Sequence, residues 1–142
     1  MAISARNVFR GKVSALHEGP INAEVEITTA SGDKIVAMVT DASIKSLGIA
    51  AGKDIVAIIK APWVVLMTGK AEYRFSARNQ LQGKVVKINR GPVNSQVTLT
   101  LSGGSSLGAV VTNDAVDELG LKVGAEATAM FKASNVLLGV PA

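Results

Sequence analysis

The side chains best suited to chemistry in this sequence are hydrogen-bond donors that occur twice, 72 residues apart. The segment Ser-Ala-Arg-Asn stands at 4–7 and again at 76–79, and a threonine and a lysine follow each copy at the same offset. The shared donors are Ser4, Arg6, Thr40 and Lys60, with Ser76, Arg78, Thr112 and Lys132. Guanidinium, ammonium and hydroxyl groups are donors of the kind that bind an anion through charge-assisted hydrogen bonds.

The type of anion is indicated by what the shared set lacks. Beside the shared donors no carboxylate is kept in both copies, since Asp41, next to Thr40, is replaced by Asn113 in the second. Phosphate carries a proton near neutral pH and favours a site with an acceptor, whereas a donor-only site favours a fully deprotonated oxyanion. Sulfate, molybdate and tungstate are the candidates.

Each copy also contains one predicted short helix, which begins at the shared threonine and ends at a glycine. The predicted bounds are Thr40 or Asp41 to Gly48, and Thr112 or Asn113 to Gly120. A helix N-terminus offers unpaired N–H groups and the positive end of the helix dipole, so it would add further donors beside the threonine and Ser43.

The match between the copies extends far beyond these donors. With an offset of 72 and no gap, 24 of the 63 positions from 4 to 66 are identical to their counterparts. The chain is therefore predicted to be a tandem duplication, with a first domain over 1–69, a second over 70–142 and a linker near 68–75.

Period-two alternation in the segments NAEVEITT (22–29) and SQVTLTLSG (95–103) predicts strands with one wet face, which carries Glu24 and Glu26. The clusters at 30–33 and 102–106 predict hairpin turns, and DIVAIIK and WVVLM predict two further strands separated at Pro62. The fold class predicted is all-β with one short helix per repeat, as two tandem OB-type five-stranded β-barrels.

Composition limits the possible functions. The 142 residues contain no cysteine, which excludes disulfides and Cys-based zinc sites, and the net charge of +4 comes from scattered residues rather than a basic run. Neither a signal peptide nor an apolar stretch of membrane-spanning length is present, so a cytoplasmic protein is expected, with no membrane partner. Because each domain would be small, oligomerisation is a plausible source of stability.

Catalytic signals are weak. The one histidine, His17, is replaced by Asn89 in the second copy, and no serine lies in a nucleophile motif. A non-enzymatic protein without an organic cofactor or metal cation is expected. An OB-type binder of single-stranded nucleic acid is the main alternative, although Trp63 and Phe9 are replaced by Asn135 and Leu81, so no aromatic stacking platform is duplicated. An enzyme of pterin cofactor assembly is a third.

Taken together, the paired segments resemble the molbindins, proteins made of two tandem Mop domains. The segments that carry the resemblance are ISARNVFRGKV with FSARNQLQGKV, GPINAEV with GPVNSQV, VTDASIKSLGI with VTNDAVDELGL, and IVAIIKAPWVVL with TAMFKASNVLL. The resemblance covers essentially the whole chain. It implies non-covalent binding of molybdate or tungstate, a storage or homeostasis role, and a homotrimer with the oxyanions at subunit interfaces.

The resemblance also implies two classes of site. The interface class would use Ser4, Arg6, Thr40, Ser43, Lys60, Ala61, Ser76, Arg78, Thr112, Lys132, Ala133 and Ser134. The axial class, on a threefold axis, would use Gly19, Ile21, Asn22, Gly91, Val93 and Asn94. Ser43 becomes Ala115 and Pro62 becomes Ser134 between the copies, so the interface sites are expected to differ. Pro20 and Pro92 each remove an N–H group from the axial turns.

Overall fold

A computed structural model describes residues 1–142 and shows the same order of elements twice. The first repeat contains β1 (Asn7–Glu18), β2 (Asn22–Thr29), β3 (Lys34–Thr40), α1 (Asp41–Leu47), β4 (Asp54–Ile59) and β5 (Val65–Met67). The second contains β6 (Asn79–Arg90), β7 (Asn94–Leu101), β8 (Ser106–Thr112), α2 (Asn113–Leu119), β9 (Glu126–Phe131) and β10 (Leu137–Gly139). The prediction of an all-β fold with five strands and one short helix per repeat is confirmed.

The hairpins and strand faces follow the local sequence. Gly32 and Gly104, with φ of 104° and 106°, occupy the turns between β2 and β3 and between β7 and β8, where the left-handed backbone favours glycine. In β2, Val25 and Ile27 are fully buried, and Glu24 lies on the opposite face. Alternation therefore places one face of each hairpin in the core and leaves the other for polar contacts.

The helices have the predicted caps. The Thr40 Oγ1 accepts a hydrogen bond from the Ser43 amide at 3.1 Å, and α1 is closed by Gly48 in the left-handed conformation. Thr112 and Gly120 do the same for α2. Each helix has seven residues, and neither meets the length and apolar character that crossing a bilayer requires.

One strand boundary was predicted wrongly. WVVLM was expected to be a strand throughout, but Trp63 belongs to a 3-10 turn over Ala61–Trp63, and β5 begins at Val65. Pro62, whose φ is already suited to a helical turn, opens this turn rather than only interrupting a ladder. Ala133–Asn135 forms the corresponding 3-10 turn in the second repeat.

The sheets are not built from contiguous sequence. Their strand orders are β10-β4-β1-β2-β3 and β5-β9-β6-β7-β8, and every pairing is antiparallel. The last strand of each repeat thus pairs with the other repeat's sheet, as in Val65 opposite Met130 and Leu137 opposite Ile58. The predicted division at 69/70 falls in the segment between β5 and β6 and stays a prediction about the chain's organisation.

The two repeats share one hydrophobic core. A single cluster of 27 buried residues contains side chains from both halves, almost all aliphatic, with Phe9 and Phe131 as its aromatic members. This packing, together with the exchanged strands, fixes the relative positions of the two Ser-Ala-Arg-Asn segments.

Candidate functional site

The asparagine of each Ser-Ala-Arg-Asn segment docks that segment on the opposite repeat. Asn79 is 2% exposed, and its Nδ2 donates to the Val36 carbonyl while its Oδ1 accepts from the Val36 amide, both at 2.8 Å. Asn7 makes the same pair of bonds to Gly108, at 2.8 and 2.7 Å. β3 and β8 are edge strands, so these amides occupy main-chain groups that no neighbouring strand pairs. Asn7 and Asn79 therefore have a structural role.

Two predicted donors of the second repeat line one cavity. Ser76 and Lys132 both face a cavity of about 450 Å³, whose wall also includes Trp63 and Phe75. Trp63 comes from the first repeat and is 46% exposed. An apolar wall beside a hydroxyl and an ammonium lowers the local polarity and strengthens their interaction with an anion.

Lys60 is linked to the same aromatic side chain. Its Nζ lies 5.7 Å from the centre of the Trp63 ring, within the range of a cation–π contact. Lys132 has Asn135 at the corresponding place, so the two lysines differ in what holds them. Ala61 and Ala133, which follow the lysines, are both buried in this chain.

The predicted hydroxyls at the start of α1 contact each other. Thr40 Oγ1 and Ser43 Oγ lie 3.0 Å apart, while the Thr40 oxygen also accepts from the Ser43 amide. Thr112 makes only the capping bond, because Ala115 replaces Ser43. The two sets thus differ by one hydroxyl, as the sequence indicated.

The structure places the lysine segment of each repeat beside the threonine strand of the other. The 3-10 turn after Lys132 packs against β3, which ends at Thr40, and the turn after Lys60 packs against β8, which ends at Thr112. Each lysine thus directly precedes a turn that packs on the threonine strand of the other repeat, while Ser76 and Lys132, both of the second repeat, line one cavity. Ser4 and Ser134 are exposed and make no side-chain hydrogen bond.

Arg78 is already occupied by a carboxylate. Its Nε and Nη2 donate to the two carboxylate oxygens of Glu24, at 3.0 and 2.9 Å. These hydrogen bonds are the main reason why the pKa of Glu24 lies below its ordinary value. Burial tends to raise this pKa, and the electrostatic interactions with Arg78 and His17 lower it further. Hydrogen bonding to Glu24 likewise raises the pKa of Arg78. Arg6 is exposed and has neither an ion pair nor a side-chain hydrogen bond.

Glu24 and Thr40 share one face of the first sheet. Asn22 stands opposite Thr40 and Glu24 opposite Met38, so Glu24 and Thr40 are diagonal neighbours, about 7–8 Å apart in such an arrangement. Arg78 therefore reaches the face on which Thr40 lies. Sequence reasoning missed Glu24 because its counterpart is Gln96, and a search for groups shared by both copies discards it. The sequence feature that could have identified Glu24 is the difference between Glu24 and Gln96.

The predicted axial turns are exposed but offer few donors. The Gly19 amide bonds to the Asn22 carbonyl within the turn, and the Asp41 amide bonds to the Ile21 carbonyl. Ile21 is 74% exposed, and its N–H has no main-chain partner. The second copy is alike, with Gly91 bonded to Asn94 and Asn113 bonded to Val93. One free N–H and one exposed asparagine side chain remain at each turn.

Groups that would hold a metal cation are not found together. No cluster of three or more His, Cys, Asp or Glu side chains has the spacing of a metal site. His17 lies exposed on β1, opposite Glu24.

Comparison with known proteins identifies the family. The TOBE domain model matches residues 3–66 and 76–138. The chain is 45% identical over 140 residues to molybdenum transport protein ModE of Herbaspirillum seropedicae and 41% identical over 141 residues to molybdenum-pterin-binding protein MopA of Rhodobacter capsulatus. These alignments cover 99% of this chain but only 52% and 53% of the relatives, so the chain spans about half their length. Molybdenum-pterin-binding protein 2 of Clostridium pasteurianum is 46% identical over 63 residues, which are 44% of this chain and 93% of that protein.

A solved structure matches the whole chain. It is described as the cytoplasmic molybdate-binding protein ModG with molybdate bound, is 60% identical, and covers 99% of this chain and 100% of its own, with a TM-score of 0.94. The resemblance to tandem Mop-domain proteins is thereby confirmed. The chain belongs to the TOBE domain family, of which it contains two tandem copies.

Proposed function

We propose that this protein binds molybdate without covalent chemistry. The observation that carries the proposal is the 60% identity over the full chain to a structure described as a molybdate-binding protein with molybdate bound. The donor set supports it, because both repeats contain an arginine, a lysine, a threonine and a serine at the same offset. Such a set matches a tetrahedral dianion, all of whose oxygens are acceptors.

The interface-type residues have different roles in binding the oxyanion. Each arginine has a rigid pair of parallel N–H groups that can bind two oxygens of the ligand, although in Arg78 this pair is bonded to Glu24. Each lysine adds a point charge. Thr40 and Thr112 can donate their hydroxyl hydrogen, since the capping bond uses only their oxygen as acceptor. Ser76 and Lys132 share a cavity wall, which supports their assignment to one site. The proposal retains all twelve predicted interface residues and, as a second class, the axial turns.

The finer features are also proposals. We infer that tungstate binds as well as molybdate, because the two oxyanions present the same charge and four acceptor oxygens. A homotrimer with a role in storage or homeostasis is proposed from the resemblance to molbindins. A cytoplasmic location is proposed from the description of the structural relative. No catalytic step is part of the proposal, nor is the activity of the longer relatives.

Calorimetric titration of the purified protein with molybdate, tungstate, sulfate and phosphate tests the proposal. We expect binding of molybdate and tungstate at micromolar concentration, weaker binding of sulfate, and the weakest binding of phosphate, whose proton meets no carboxylate beside Arg6. Equal affinity for phosphate and molybdate would refute it.

A single-stranded oligonucleotide in the same titration addresses the alternative function. Salt-sensitive oligonucleotide binding that molybdate does not displace would favour a nucleic-acid binder. The exposed Trp63 is the residue whose replacement would then abolish binding.

A further inference from the structure

The two arginines that the repeats share stand in unequal surroundings. Arg78 is paired with both oxygens of Glu24, whereas Arg6 has no ionic partner. The residue at the place of Glu24 in the second repeat is Gln96, which carries no charge. The two arginines therefore differ in their surroundings because the sequence differs, not because their side chains adopt different rotamers.

The Glu24–Arg78 pair is also held in place. Asn79, next to Arg78, is fixed by its two hydrogen bonds to Val36 on β3, two strand positions from the residue opposite Glu24. The Glu24 side chain is 34% exposed and shares the sheet face with Thr40, a predicted ligand of the oxyanion. His17 on β1 stands opposite Glu24, and its counterpart opposite Gln96 is the neutral Asn89. His17 and Arg78 are the charged groups that act on Glu24.

We propose that Glu24 is an internal competitor for the oxyanion that Arg78 would bind, so that the site containing Arg78 is partly closed and the site containing Arg6 is open. The inference rests on the proposed function and adds regulation to it. The Glu24 carboxylate places two oxygens on the Nε–Nη2 edge of the guanidinium, in the same bidentate geometry that a tetrahedral oxyanion uses, so the two compete for that edge. When the oxyanion displaces Glu24, a negative carboxylate remains beside a dianion and weakens its binding further.

The consequence is that the two sites bind molybdate one after the other as its concentration rises. The site containing Arg6 is occupied first, and the site containing Arg78 takes up molybdate only at higher concentration. One chain thus covers a wider range of molybdate concentration than two equal sites would.

Reciprocal substitutions test the inference by moving the carboxylate between the repeats. Molybdate titrations are compared for the intact protein, Glu24→Gln, Gln96→Glu and the double variant. We expect two affinity classes in the intact protein. Glu24→Gln should strengthen the weaker class roughly three- to tenfold, the range expected for an exposed ion pair together with a like charge close to the ligand. Gln96→Glu should weaken the tighter class by a similar factor, and the double variant should again show two classes.

Glu26→Gln is the matched control. It removes the same charge from the same face of β2, where Glu26 contacts Ser14 and lies 3.8 Å from Lys34 rather than near an arginine. It should leave both classes unchanged. All four variants are nearly isosteric with the original residue, and thermal unfolding followed by circular dichroism checks that each is folded.

The outcomes separate this inference from the function on which it rests. Molybdate binding that is unaffected by both reciprocal substitutions would overturn the inference and leave the proposed function intact. Weaker binding in Glu24→Gln would mean that Glu24 orients Arg78 for the ligand, which also overturns it. If the intact protein binds no molybdate, both fail.

Discussion

Asn7 and Asn79 show how a single side chain can replace a strand partner. Each amide bonds to both main-chain groups of one residue at the edge of the opposite sheet, and each is almost completely buried. Each arginine directly precedes one of these asparagines, so the anchoring also fixes the main-chain positions of Arg6 and Arg78. A buried polar residue with a structural role thus positions the neighbouring arginine that is proposed to bind the oxyanion.

Asn79→Ala should therefore destabilise the protein by about 1–3 kcal/mol, since the Val36 amide and carbonyl lose their partners in a half-buried position. Asn79→Asp should destabilise the protein at least as much at neutral pH, because it keeps the acceptor for the Val36 amide but buries a second carboxylate oxygen against the Val36 carbonyl oxygen. Urea unfolding curves of the variants give the free energy of unfolding. Asn89→Ala, at an exposed strand position without a side-chain hydrogen bond, is the control and should leave it nearly unchanged.

Arg6→Ala should weaken molybdate binding by about 1.5–3 kcal/mol, the value of a hydrogen bond to a charged group. The loss should appear in the tighter class of sites, because Arg6 has no internal partner. Calorimetric titration measures it, with Arg10→Ala, a nearby exposed arginine outside the proposed site, as the control. If Arg78→Ala alone abolished all binding, the description of two similar sets of sites would be wrong.

At the scale of elements, the two hairpin turns hold the repeats together through Asp33. Its carboxylate accepts from the amides of Gly103 and Ser105, at 2.7 and 2.9 Å, in the turn of the other repeat. A side chain at Gly103 would have no room, since an added Cβ would fall 2.5 Å from an Asp33 oxygen. Thr29 and Ser105 add a buried hydroxyl contact at 2.9 Å.

Stability should fall in acid because of Asp33. Burial tends to raise the pKa of Asp33, but hydrogen bonding from Ser105 and Gly103 outweighs it, so the pKa lies below its ordinary value. A carboxyl group with a lowered folded-state pKa stabilises the protein above its unfolded pKa, and this contribution is lost as the pH falls through the folded value. Urea unfolding at neutral pH and at successively lower pH should show the loss.

Asp33→Asn tests the assignment, because it removes the charge and should flatten that part of the pH dependence while lowering stability at neutral pH. Asp54→Asn is the comparison, since Asp54 pairs only with the exposed Lys12. If both variants kept the full acid response, Asp33 would not be its source.

The elements themselves were predictable because their causes are local. Threonine at the N-cap, glycine at the helix end and glycine in each hairpin act over a few residues, and period-two alternation marks the strand faces. The exchanged strands were not predictable, since β5 and β10 have similar sequences and similar partners, and nothing local says which copy each joins. The donors were found through repetition. Glu24 and Trp63 were missed for the same reason, because neither is repeated.

The whole molecule behaves as two copies related by a pseudo-twofold axis. Asn7 bonds to Gly108 and Asn79 to Val36, and these two contacts become one another when 72 is added to or subtracted from each number. The strand pairs β5–β9 and β10–β4 are related in the same way. This reciprocity is the mark of an isologous contact between identical units, here joined in one chain.

A single repeat should therefore assemble with a second copy of itself. In the fragment over 1–69, the first predicted domain, β5 has lost β9, and the partner most like β9 is β4 of another fragment. Mutual exchange of β5 would restore both sheets, so we expect particles containing an even number of fragments, the smallest with a mass close to that of one intact chain. Light scattering after size-exclusion chromatography measures the mass, and Leu66→Asp, which places a charge at a buried position of β5, should prevent the pairing. A monomeric fragment with cooperative unfolding would instead show that β5 can return to its own sheet, and that the exchange depends on the linker between the repeats.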